Sequence, residues 1–324
     1  MSTSTDDART IFLARLIDDA GLFPPARLPM VQAVDDHGAR GQGTTAWMQG
    51  RFLCPASRLD ELAGVLKQQR GRASWRVGAI LDGPGNASTW QKAVEADLAS
   101  ALELAALSDG RAYVDAVEVR LPDGTPRTLT RDVTHLTETL RGARLPEPVL
   151  AYLELPINDG FDASLATLAA IGPKGPVVAP RAKLRCGGVH NGDVPSVERV
   201  AAFLTACHRH GVAFKATAGL HQPLPHDDPA TGDRQHGFLG VLGGAVLLHA
   251  GAITPEDLPT VLTETDPRAW RLDADGLGWR DHRATARAIA DAREQLVAGF
   301  GSCSFDEPTQ ALRALGLLPT GANA

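Results

Sequence analysis

The residues best suited to chemistry are cations set in short apolar runs. In Ala182-Lys183-Leu184-Arg185 the lysine and arginine are two apart, so on a strand they share one face. Lys215 and Thr217 share a face in the same way within Ala213-Phe214-Lys215-Ala216-Thr217. Each run ends in glycine, Gly187-Gly188 and Gly219, where backbone or ligand can come close. Isolated buried cations are costly, so such a cluster needs an anion, a carboxylate partner or a chemical use. Desolvation and the charges of Lys183 and Arg185 are expected to lower the pKa of Lys215. Its neutral amine could then attack a carbonyl and form a Schiff base.

Carboxylates accompany these cations. Glu118 and Arg120 are two apart in Asp115-Ala116-Val117-Glu118-Val119-Arg120, and Glu154 closes Ala151-Tyr152-Leu153-Glu154. Glu118 or Glu154 could carry proton transfers, and the Thr217 or Tyr152 hydroxyl could orient a carbinolamine. The same residues allow a plainer reading, a layer of ion pairs joining Glu154 to Arg185 and Glu118 to Lys183.

The stretch 221–236 offers a different chemistry. His221, His226, Asp227, Asp228 and His236 crowd it, and imidazole with carboxylate can ligate a divalent metal. Their spacing matches no metal motif, so no metal is assigned. His221 or His236 is instead expected to orient substrate beside Lys215. Gly187-Gly188 and Gly301-Ser302 form turns whose amides could hold phosphate or carboxylate, or could be turn geometry alone. Asp18-Asp19, close to Phe23-Pro24-Pro25, could cap the structure or reach the site from an N-terminal lid.

The elements that position these residues alternate in period. Helices are expected over 6–19, 29–40, 58–69, 88–107, 129–142, 161–171, 196–210, 236–250, 255–264, 281–296 and 307–317. Strands are expected over 51–54, 76–81, 113–121, 149–155, 182–185 and 213–217, with a weak one at 269–273 and a last one at 299–305. About eight strands alternating with helices favour a (β/α)8 TIM-type barrel with an N-terminal helical extension. An open doubly wound sheet is the alternative, though no GxGxxG or GxxxxGK[ST] follows the first strand. One barrel domain over 1–324 is expected, with 1–45 as a helical extension or lid. Barrel chemistry collects at the carboxyl ends of strands, here Cys54, Asp82, Glu118, Glu154, Lys183, Arg185, Lys215, Thr217, Ser302 and Ser304.

Composition narrows the partners. The 324 residues carry a net charge of −6, which argues against general nucleic-acid binding and points to a small ligand. Four cysteines, Cys54, Cys186, Cys207 and Cys303, have no CxxC spacing and read as reduced thiols of a cytoplasmic protein. The N-terminus lacks the features of a signal peptide, and no run of 18 apolar residues spans a membrane.

Phe214-Lys215-Ala216-Thr217-Ala218-Gly219 resembles the strand that carries the Schiff-base lysine in deoxyribose-phosphate aldolase-like class I aldolases. The resemblance covers about six residues. That family's second active-site lysine lies on the following strand, whereas Lys183 lies on the preceding one, and its assisting carboxylate has no matching motif. DDAGLFPPA (18–26), KLRCGG (183–188), FKATAGLHQP (214–223) and GFGSCSFDEP (299–308) resemble a family of bacterial and plant proteins. That likeness extends over nearly the whole chain and implies a barrel-like enzyme without naming a substrate.

The expectation is a class I aldolase or lyase acting on a small carbonyl compound that bears phosphate or carboxylate. Lys215, Lys183, Glu154 and Glu118 would be catalytic. Arg185, Thr217, His221, His236, Gly187, Gly188 and Ser302 would bind substrate. Neither cofactor nor membrane partner is expected, and a homo-oligomer is left open. The alternatives are a metal-dependent hydrolase or isomerase using 221–236, and a non-catalytic protein that holds an anionic metabolite.

Overall fold

The computed structural model describes residues 7–69, 74–81, 87–122, 125–142, 149–171, 180–188, 193–229 and 231–318. Asp82, one of the expected strand-end residues, lies outside them. Eight parallel strands close a barrel: β1 (Ile17–Asp19), β2 (Gln49–Pro55), β3 (Trp75–Ile80), β4 (Ala112–Arg120), β5 (Leu150–Glu154), β6 (Arg181–Arg185), β7 (Phe214–Thr217) and β13 (Val297–Ser302). Their order around the barrel is β1-β13-β7-β6-β5-β4-β3-β2. This is a (β/α)8 barrel.

Helices alternate with the strands. Helix α1 (Ala8–Leu13) precedes β1, and α2 (Met30–Arg40) links β1 to β2. Next come α3 (Leu59–Gln68), α4 (Ala87–Leu107), α5 (Pro126–Gly142), α6 (Phe161–Ile171) and α7 (Val197–His210). Between β7 and β13 lie a two-stranded hairpin, β8 (His226–Asp227) with β9 (Arg234–Gln235), then α8 (Gly244–His249) and α9 (Leu258–Thr263). A three-stranded antiparallel sheet of β10 (Trp270–Leu272), β11 (Gly276–Trp279) and β12 (His282–Thr285) follows, then α10 (Ala286–Gln295). Helix α11 (Asp306–Ala314) comes after β13. Among the described residues, no helix is long and apolar enough to cross a membrane.

Local chemistry sets these boundaries. Helix α3 buries Leu59, Leu62, Ala63 and Leu66, one stripe at helical spacing. Helix α7 starts where the Ser196 side chain accepts the Arg199 N–H, and stops at Gly211, whose φ of 63° a side chain would disfavour.

Four expected elements differ. The helix expected over 6–19 ends at Leu13, and Ile17–Asp19 form a barrel strand. The weak strand at 269–273 exists as β10 but belongs to the separate three-stranded sheet. The helix expected from 281 begins at Ala286, because His282–Thr285 pair with β11. The apolar, glycine-rich stretch after His236 is a π-helix over Leu239–Gly243 running into α8.

The chain forms two compact units. One comprises the residues up to Asp18, Arg40–Gly50 and those from Arg185 onward; the other comprises Asp19–Ala39 and Arg51–Leu184. In the second unit, β4 bulges at Asp115, since Val77 faces Val114 and Gly78 faces Ala116. The bulged carboxylate takes both Arg51 (Nε to Oδ1, 2.6 Å) and Arg76 (Nε to Oδ2, 2.7 Å). Asp19 in the same unit accepts the Gly21 N–H and faces Nδ1 of His37 at 3.1 Å, while the His37 ring lies against Phe52 and Trp75.

Candidate active site

Alternation along β7 decides which way Lys215 points. The Phe214 ring meets Phe203 of α7 edge-on at 5.7 Å, so Phe214 faces the helices. Lys215 and Thr217 therefore face the barrel interior. Lys215 is only 1% exposed, and its Nζ lies 2.5 Å from Oδ2 of Asp18, itself 4% exposed. The sequence led us to expect cations pressing on this amine. The structure places a carboxylate against it, supplied by β1 itself and not by a lid.

Small residues make this contact fit. A Cβ on Gly50 would lie 2.0 Å from Oδ1 of Asp18, so only glycine leaves room for the carboxylate. Gly299 stands opposite Lys215 and Gly301 opposite Thr217, which leaves β13 without side chains beside either. Gly299 has φ 142°, and a Cβ there would come 2.5 Å from the Leu16 carbonyl oxygen. That same oxygen accepts the Phe300 N–H at 2.9 Å, tying β1 to β13.

Beyond β7 the chain turns through two left-handed residues, Ala218 at φ 61° and Gly219 at φ 70°. For alanine this conformation costs about 1–2 kcal/mol. A Cβ on Gly219 would come 2.7 Å from Gln235 Oε1 and 3.0 Å from the Cys186 carbonyl oxygen. Gly187 packs on Gly219 from the other side, where its own Cβ would come 3.1 Å from the Gly219 Cα. The two glycine turns meet backbone to backbone.

In the second unit, Lys183 gathers two carboxylates. Its Nζ lies 2.8 Å from Oε2 of Glu118 and 3.6 Å from Oε2 of Glu154. The register sets this up: Glu154 stands opposite Lys183 on one side and Arg120 on the other. Glu118 with Lys183 is the pairing that the plainer reading expects. Arg185, one residue beyond the buried Leu184, is exposed at the end of β6.

The remaining expected residues have local partners. The Thr217 carbonyl accepts the Cys186 N–H at 2.8 Å. A Cβ on Gly188 would lie 2.0 Å from Oδ2 of Asp193, so this position has room only for glycine. The Ser302 hydroxyl donates to the Ser304 carbonyl at 2.7 Å, an intrachain use of a residue expected to bind substrate. His236 Nε2 lies 2.8 Å from the Pro195 carbonyl oxygen, and burial pushes its pKa below the usual histidine value. Asp227 pairs with Arg234 at 3.1 Å. His221 faces Oε2 of Glu307 through Nδ1 at 3.0 Å. His221, Asp227 and His236 thus go to separate partners, and among the described residues no group of three His, Cys, Asp or Glu side chains is placed to hold a metal ion.

Asp18, Gly50 and Gly299 are the site residues that sequence reasoning did not assign. Asp18 was noted beside Asp19, but nothing in its spacing indicated a strand. No protein-family model matches this chain, and no curated protein matches it.

Proposed function

We propose that the barrel is a class I carbon–carbon lyase or aldolase in which the Lys215 amine forms a Schiff base with a small carbonyl compound. The single supporting observation is the inward-facing Lys215, buried at 1% exposure with its amine on Asp18. Barrel folds collect reacting groups at the carboxyl ends of their strands, and Lys215 lies two residues before that end of β7. Asp18 accepts a proton from the Lys215 ammonium, and the neutral amine adds to the carbonyl carbon. Asp18 gives that proton to the carbinolamine hydroxyl, which leaves as water. The resulting iminium ion draws in the electron pair of the bond between its α and β carbons as that bond breaks. The β-hydroxyl passes its proton to Asp18 and its carbon departs as a carbonyl. The Asp18 carboxyl then protonates the enamine carbon, and water hydrolyses the iminium to release the second product and free the amine. Arg185, exposed at the end of β6, suits a phosphate or carboxylate on the substrate.

A second reading places the imine on Lys183, whose amine faces Glu118 and Glu154. Borohydride reduction with a panel of small aldehydes and ketones separates the two. The expected result is one reduced adduct, mapped by peptide mass to Lys215, that still forms in the presence of a strong chelator. An adduct on Lys183 would establish the second reading, and adducts confined to exposed lysines would end both.

A further inference from the structure

A second reactive cluster lies where β13 and β7 end, and the Schiff-base reading does not use it. Cys303 follows the last residue of β13, and its Sγ lies 3.7 Å from Nε2 and 4.0 Å from Nδ1 of His221. His221 comes from the turn after β7, and its Nδ1 lies 3.0 Å from Oε2 of Glu307 in the first turn of α11. The ordering is thiol, imidazole, carboxylate. The sulfur is nearly equidistant from the two ring nitrogens and so lies beside the imidazole, off the Nε2 lone-pair axis. A proton held on Nδ1 by Glu307 leaves Nε2, the nearer nitrogen, as the ring's proton acceptor. Cys303 is half-buried, whereas Cys54, Cys186 and Cys207 are buried. Burial pushes the Cys186 thiol up to about 12 and the Cys207 thiol well above its usual value, so those two remain protonated and inert.

We propose that Cys303, His221 and Glu307 form a nucleophilic thiol centre that adds reversibly to the carbonyl of a small aldehyde. His221 Nε2 takes the thiol proton while Glu307 holds the opposite N–H. The sulfur forms a bond to the carbonyl carbon, and the carbon–oxygen π pair moves onto oxygen. That oxygen takes the proton back from the imidazolium, giving a neutral thiohemiacetal. No oxidant or reductant is consumed. The centre stands on its own distances and does not require an imine at Lys215.

Alkylation of the native full-length chain by iodoacetamide at neutral pH, followed at each cysteine by peptide mass, tests the proposal. An ordinary thiol is only a few per cent ionised at pH 7, so Cys303 should react at least about tenfold faster in the native protein than in His221→Ala. Glu307→Gln, at a largely exposed position, should slow it severalfold. Glycolaldehyde should protect Cys303, and should still do so in the double variant Asp18→Asn/Lys215→Met. Equal alkylation rates in the native protein and both variants would overturn the thiol centre. Protection that vanishes in the double variant would assign the aldehyde to Lys215 and overturn the thiohemiacetal. Failure of borohydride trapping at Lys215 would end the Lys215 reading and leave this one standing.

Discussion

At the scale of single residues, the contact between Lys215 and Asp18 carries the largest energetic consequences. Removing one member of a buried ion pair costs about 3–5 kcal/mol, whereas replacing both by apolar groups of similar volume is often close to neutral. Lys215→Met alone should therefore lower the free energy of urea unfolding by that amount, and Asp18→Leu should do the same. Combining the two should restore most of the loss. Losses that simply add would show that the residues do not act as a pair. The route to Asp18 can be blocked more gently. Gly50→Ala would drive a methyl into the space of Oδ1, moving the carboxylate while keeping its charge. Trapping at Lys215 should fall at least about tenfold in Gly50→Ala, since misplacing a reacting group by an ångström can cost more than that. Lys215 was legible in the sequence because a cation inside an apolar run is unusual. Its carboxylate was not, because a contact between residues 18 and 215 leaves no trace in local spacing.

At the scale of elements, the expectation of eight strands was met through two errors that cancelled. Ile17–Asp19 was read as the end of an amphipathic helix, because three residues are too few to show a period of two. The stretch 269–273 was read as a barrel strand, yet β10 pairs with β11 in the separate antiparallel sheet. The strands β2 to β7 were found nearly to the residue, since each is an apolar run bounded by helix of ordinary length. What holds β1 in place is the bare backbone of β13. Gly299 has a φ of 142° and allows the Leu16 carbonyl to approach. Gly299→Ala should strain that backbone and push β1 away, costing more than about 2 kcal/mol in urea unfolding. Because Asp18 lies on β1, the same substitution should weaken trapping at Lys215. A variant that keeps native stability would show that the β1–β13 seam tolerates a side chain.

At the scale of the whole molecule, alternating strands and helices made the barrel legible, while the pairing of titratable groups was legible only in part. The histidines illustrate the difference. Sequence placed His221 or His236 beside a catalytic lysine. The structure buries His236 against the Pro195 carbonyl, and His208, in the last turn of α7, lies near His249. Burial, the largest cause in each case, lowers the pKa of His208, His226 and His236 below the usual value, and His249 adds to the effect at His208. All three lie in the unit that runs from Arg185 onward. A histidine whose folded pKa lies below the unfolded value, near 6.5, binds fewer protons folded than unfolded between those two values. Its contribution to stability is therefore complete above about pH 6.5 and is lost as pH falls through the folded value. Ordinary carboxylates titrate lower, near pH 4, so the window from pH 7 to pH 5 isolates the imidazoles. The urea midpoint should fall across that window, and His236→Gln, which cannot titrate, should flatten the fall. Amide exchange over 197–210 and 239–249 should accelerate most, because those helices belong to the unit that must take up the protons. An unchanged slope in His236→Gln would mean that the buried imidazole against Pro195 does not set the acid stability of this unit.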